Sequence, residues 1–230
     1  MYFASIVVAG ILPVMVFLPV LFFLEKRHGR IFPGGKRFTS GFYSVFIFVI
    51  FSVLSVIPSY LIQYLILLSG FRLGGFLGIV FDSFVSSALV EETVRLVFIL
   101  LGTKIVLSRF RLKNYSLVLL SALSGLVFGS IENILYGIYS PQAIVLRIFT
   151  SVILHGVCGF LVGKYIILML DNEKKEGVFF LVLAWAGHGI YNFFIQLPYF
   201  DGNFPPFVFS FGVLIFMLLF CFFLARDITD

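Results

Sequence analysis

Eight side chains able to do proton chemistry stand inside stretches of this chain that are otherwise apolar. Glu91 and Glu92 are adjacent, with Arg95 one turn on, in SALVEETVRLVFIL; Glu132 and Asn133 follow Phe128 in FGSIEN; His155 lies in LHG; His188 and Asn192 share HGIYN. On a helix Glu91 and Arg95 are i,i+4 and Glu92 and Arg95 are i,i+3, so the guanidinium reaches back to one carboxylate, while His188 and Asn192 lie on one face. Two adjacent carboxylates in a low dielectric do not readily ionise together. A carboxylate poised in that way takes a proton from water and later hands it to a leaving amine, and imidazole or amide N–H groups steady an oxyanion.

A blander reading of each group exists. Glu92 and Arg95 could form a purely structural ion pair with the arginine stem lying along apolar surface, and a single buried histidine is usually a satisfied core residue. Four successive apolar runs each carrying a strongly polar group argue for convergence on one site, because ionisable groups at membrane depth persist where they face a bundle interior or a wet cavity. Gly125 and Gly129 form a GxxxG face on the run with Glu132, Gly159 and Gly163 do so after His155, and Gly187 and Gly189 flank His188. Small faces let helix backbones approach closely. HExxH, GxSxG and GxGD signatures are absent, and neither Ser130 nor Ser151 has a neighbouring base in sequence. Water activated by Glu91 or Glu92 remains, with no cofactor and no metal expected. The same three carboxylates and two histidines could instead hold one or two metal ions.

The elements that position these groups follow from composition. The 230 residues are 61% hydrophobic, 19% aromatic and 12% charged, with a mean hydropathy of +1.14, against about a quarter charged in soluble domains. Apolar runs at about 3–24, 42–68, 75–101, 116–138, 143–170, 177–197 and 205–225 are each near the roughly 20 residues that cross a bilayer core. Strand-type alternation is missing, so the expected fold is an all-α polytopic bundle of about seven spans in one domain, 1–230, with a motif-bearing core at about 75–197. The first run lacks a basic flank and is too long for a signal peptide, so it reads as a retained span. Cys158 and Cys221 both lie in apolar runs and read as reduced thiols. Lys26, Arg27, Arg30, Lys36 and Arg37, then Lys104, Arg109, Arg111 and Lys113, then Lys174 and Lys175 mark alternate linkers; the others hold only Arg72, Arg147 and none. That asymmetry predicts the N-terminus outside and the C-terminus in the cytoplasm. The net charge of +5 is thereby a topology signal, and no nucleic-acid partner is expected.

EETVR, FGSIEN, the histidine of HGVCG and HGIYN, in that order over about residues 88–196, resemble the motif series of the PrsW family of glutamic intramembrane proteases, a relative of the CAAX prenyl and bacteriocin-processing membrane proteases. Arg95 stands where that family commonly has lysine, which keeps the charge but not the geometry. Glu132, where the CAAX enzymes have histidine, favours the PrsW side. The resemblance implies that Glu91 or Glu92 activates the water while the other holds it, that Glu132 and His155 complete the water-binding shell, and that His188 and Asn192 bind the scissile carbonyl. Arg95, Asn133 and Phe128 are supporting residues. It also implies a membrane-anchored protein substrate, anti-sigma-factor-like, in the lipid bilayer of a bacterial plasma membrane. Two other readings stand beside it: a proton- or ion-coupled transporter, against which no inverted repeat with paired broken helices is visible, and a metal-dependent membrane hydrolase. A scaffold that has lost activity is a weaker third.

Overall fold

Backbone polar groups in lipid must be satisfied within their own segment, which for an apolar chain without alternation leaves the helix. The computed structural model describes residues 11–17, 37–71, 73–139, 143–197, 207–226 and 228, and among these there are helices and no strands. Helix α1 covers 11–17. It is followed by α2 (Arg37–Leu68), α3 (Gly75–Phe81), a π-helix (Asp82–Leu89), α4 (Val90–Leu107), α5 (Asn114–Tyr139), α6 (Ala143–Phe149), α7 (Ser151–Leu170), α8 (Lys174–Gln196) and α9 (Phe207–Arg226). Among the described residues five helical segments are long and apolar enough to cross a membrane: Ser40–Leu68, Asn114–Ile138, Leu146–Leu170, Lys175–Gln196 and Val208–Arg226.

Two of the expected spans fall outside those five. The run at 3–24 lies mostly outside the described residues. The run at 75–101 is helical throughout, but its first half is broken by the π-helix, and α4, which begins in its second half and runs on to Leu107, carries Glu91, Glu92, Arg95 and Lys104. The run at 143–170 is interrupted at Thr150, whose φ of −126° and ψ of −79° separate α6 from α7.

Helices α5 and α7 form the centre of the bundle and are mostly buried, whereas α2, α8 and α9 turn most of their apolar surface outward. α5 packs most extensively on α7, α7 on α8, α2 on α4 and α5, and α8 on the π-helix and α9. The two GxxxG faces explain the α5–α7 contact. A Cβ on Gly125 would run into the backbone carbonyl of His155, one on Gly159 into that of Ser121, and one on Gly163 would lie 2.9 Å from the Val118 backbone. Glycine is therefore what lets these two backbones touch. Leu154, Val157, Cys158, Leu161 and Ile166 of α7 pack with Leu117, Val118 and Leu120 of α5 in the apolar core. Both cysteines are buried free thiols.

A charged sequence, DNEKKEG, makes the turn between α7 and α8. Asn172 adopts φ 66°, and the Glu173 N–H reaches the Leu168 carbonyl at 2.7 Å, an αL helix stop in which asparagine substitutes for glycine. With so short a connection α7 and α8 are antiparallel neighbours. His155 lies sixteen residues before Asp171 and His188 sixteen after Asn172, so the two rings arrive at the same depth.

Candidate active site

At that depth the ionisable groups of α4, α5, α7 and α8 meet. Glu91, Glu92, Arg95, Glu132, His155 and His188 are all buried, Arg95 completely. Glu92 forms an ion pair with Arg95 and its Oε1 is 2.7 Å from Nδ1 of His188. Arg95 continues the network: its Nη1 is 3.1 Å from Nδ1 of His155 and 3.4 Å from the His155 carbonyl, and its guanidinium lies 5.4 Å from the centre of the Phe128 ring. Phe128 also leans on the His155 ring, centroid to centroid 5.2 Å. Nε2 of His155 is 2.9 Å from Oε2 of Glu132. The two imidazoles meet edge to face at 4.8 Å.

Donor and acceptor rules fix the protons. Arginine only donates, so Nδ1 of His155 accepts; the neutral ring then carries its proton on Nε2 and gives it to Glu132. A carboxylate accepts, so Nδ1–H of His188 donates to Glu92 and turns Nε2 toward the centre of the cluster. There it faces Oε2 of Glu91 at 3.8 Å, and Nε2 of His155 lies 4.0 Å from the same oxygen. Oε2 of Glu91 is buried and has no hydrogen-bond partner among the described residues. Oε2 of Glu92 is likewise without one among the described residues, and Glu92 belongs to a separate group with Cys158 and His188. The two adjacent glutamates thus differ: Glu92 is tied to a guanidinium and an imidazole, whereas Glu91 presents an open oxygen to both rings.

The other oxygen of Glu91 is held by residues that the motif reading passed over. Gln63 of α2 donates to Oε1 at 2.9 Å and Ser87 of the π-helix at 3.0 Å. Asn192 donates at 2.8 Å to Oγ of Ser87, so it joins the cluster at one remove. Arg147, counted in the sequence only as a linker charge, donates to Oε2 of Glu132 at 3.0 Å and to Oγ of Ser151 at 3.2 Å, and stacks 4.0 Å above the Tyr136 ring. A visible signal existed for Gln63 and Arg147, since each is a long polar side chain inside an apolar run. Ser87, one turn before Glu91, carried no such signal. Asn133 is fully buried beside Glu132 on α5.

A bundle whose described residues form only helices, with apolar outward faces and buried carboxylates and imidazoles at its centre, is the architecture of a multi-pass membrane protein. Over residues 41–224 the chain matches the model of the PrsW family intramembrane metalloprotease, and it belongs to that family. Its activity class is therefore proteolysis at a membrane. No curated protein and no solved structure matches it.

The family description implies a metal ion. Among the described residues Glu91, His155 and His188 offer ligand atoms that lie within 4.8 Å of one another, a glutamate with two histidines being a known zinc donor set. The open Oε2 of Glu91 and the inward Nε2 of His188 suit such an ion, and Glu92 on Nδ1 of His188 is the outer carboxylate that ligating histidines commonly have. His155 fits once its Nε2 proton is released, as metal binding to imidazole requires. The residues present therefore fit a divalent cation.

Proposed function

We propose that the chain is an intramembrane endopeptidase in which Glu91 activates the attacking water. One observation carries this reading: Oε2 of Glu91 is a buried carboxylate oxygen without a hydrogen-bond partner among the described residues, facing Nε2 of both histidines. A water between these atoms has three polar neighbours, enough to hold it. Glu91 takes the water proton at Oε2 as the oxygen attacks the scissile carbonyl, and returns it to the leaving amine. In this reading His188 is doubly protonated between Glu91 and Glu92: Nδ1–H stays on Glu92 and Nε2–H donates to the developing oxyanion. His155 is oriented by Arg95 and Glu132 and walls the water from the opposite side. The sequence expectation gave the carbonyl to His188 and Asn192 together; one N–H of the Asn192 amide is given to Ser87, its second N–H remains a donor, and His188 is the donor used in this reading.

The fit of Glu91, His155 and His188 to a cation supports a second reading. A divalent ion held by them would act as a Lewis acid and acidify a bound water. In both readings Glu92 and Arg95 orient the imidazoles and Glu132 holds His155. The substrate is a membrane-anchored protein, anti-sigma-factor-like on family grounds, and the bilayer is a bacterial plasma membrane crossed about seven times with the N-terminus outside. A transporter role is set aside because the chain belongs to a protease family.

The test is cleavage of single-span proteins by the purified protein in liposomes, with and without a strong chelator. Unchanged cleavage supports the glutamate–water reading. Loss on chelation with recovery on zinc supports the cation reading and makes Glu91, His155 and His188 ligands. Absence of hydrolysis of any single-span substrate under both conditions counts against the endopeptidase assignment.

A further inference from the structure

The reaction asks Glu91 to present one oxygen in one direction, yet the terminal torsion of a glutamate is soft. Something must hold it. Oε1 receives two hydrogen bonds, from Nε2 of Gln63 at 2.9 Å and Oγ of Ser87 at 3.0 Å. They come from different elements, α2 and the π-helix, and approach one oxygen, so rotation of the carboxylate breaks at least one of them. A serine hydroxyl has a single proton, and here it is given to Glu91. Its lone pairs are left to accept, and Nδ2 of Asn192 donates to them at 2.8 Å. The chain of donors runs one way, Asn192 to Ser87 to Glu91, and each bond polarises the next.

We propose that Gln63, Ser87 and Asn192 form a clamp that turns Oε2 of Glu91 toward His155 and His188, with Asn192 acting on the reaction through Ser87. All three are positioning residues. This rests on the reading of Glu91 as the water-activating or ligating carboxylate. The clamp joins three elements of the bundle: α2 through Gln63, the π-helix through Ser87 and α8 through Asn192. It gives the π-helix a task, because its register places Ser87 between the α8 amide and the carboxylate one turn on. Unusual helical turns of this kind are concentrated at functional sites.

The experiment is a double-mutant cycle on cleavage of a single-span protein in liposomes, with Ser87→Ala, Asn192→Ala and the pair, beside Ser87→Thr, Gln63→Leu and Glu91→Gln. Thermal unfolding checks that each variant folds. Ser87→Ala and Gln63→Leu are expected to lower kcat by about 10–100-fold with KM little changed, since a misplacement near 1 Å costs up to about 10²-fold. Ser87→Thr keeps the hydroxyl and is expected to retain most of kcat. In the Ser87→Ala background Asn192→Ala is expected to have little further effect, because its route to Glu91 is already cut. Multiplying losses in the double variant, or full kcat in Ser87→Ala, overturns the clamp. Full activity of Glu91→Gln instead overturns the reading of Glu91 on which it rests, so the two failures are told apart.

Discussion

Replacing Gly129 by alanine tests whether the tight α5–α7 contact is what aims His155. A Cβ at this position would lie 2.7 Å from Cδ2 of His155 and 3.1 Å from its Cβ and Cγ. Carbon atoms settle at about 3.5–4.0 Å, so the ring must retreat by roughly 1 Å or the helices must separate. Separation is resisted next door, where Gly125 already sits against the His155 carbonyl. The ring therefore moves, and its bonds to Arg95 at 3.1 Å and Glu132 at 2.9 Å stretch with it. Overpacking of this kind costs about 1–3 kcal/mol, and displacing a site group by about 1 Å costs up to about 10²-fold in rate. The assay is turnover of a single-span substrate together with thermal unfolding, with Gly212→Ala as control because nothing among the described residues lies within 4 Å of a Cβ there. Wild-type turnover and unchanged unfolding in Gly129→Ala would refute the argument that packing positions the imidazole.

Other outcomes follow from the charge network. Glu92→Gln leaves Arg95, wholly buried, without its counter-charge, so unfolding measurements should show a loss of about 3–5 kcal/mol. Arg147→Met removes a donor from Glu132, but the arginine side chain is 20% exposed; the expected stability loss is about 1 kcal/mol, with slower turnover as Glu132 and His155 lose alignment. Reporter fusions should place the N-terminus outside and the C-terminus in the cytoplasm, and a reporter pattern with both on one side would reject the charge-based orientation.

Much of the site was legible because bilayers penalise polar groups so strongly. Glu91, Glu92, Glu132, His155 and His188 each stand out against an apolar run, and all five meet. The depth match of His155 and His188 is written in their equal distances from the DNEKKEG turn, and the glycine spacing announces the α5–α7 contact. Hydrogen-bond identity was less legible. Which glutamate Arg95 takes depends on rotamers, since i,i+3 and i,i+4 are both within reach; the fold gives it Glu92 and thereby frees Glu91. The bond from Asn192 to Ser87 had no signal in the sequence, because the π-helix sets the register by which Ser87 faces α8. That widened turn has no compositional mark in DSFVSSAL. Arg147 was counted as a linker charge, although it lies within an apolar run, and the break at Thr150 lets α6 carry it back over Glu132.

The central claim is that Glu91, and not its neighbour, supplies the working carboxylate. The most direct measurement is turnover and unfolding of purified Glu91→Gln on a membrane-anchored substrate. The amide keeps the shape, can still accept from Gln63 and Ser87, and loses the basic oxygen facing the histidines. The account predicts a folded protein with near wild-type unfolding and no detectable cleavage. Cleavage at the wild-type rate by Glu91→Gln would contradict it.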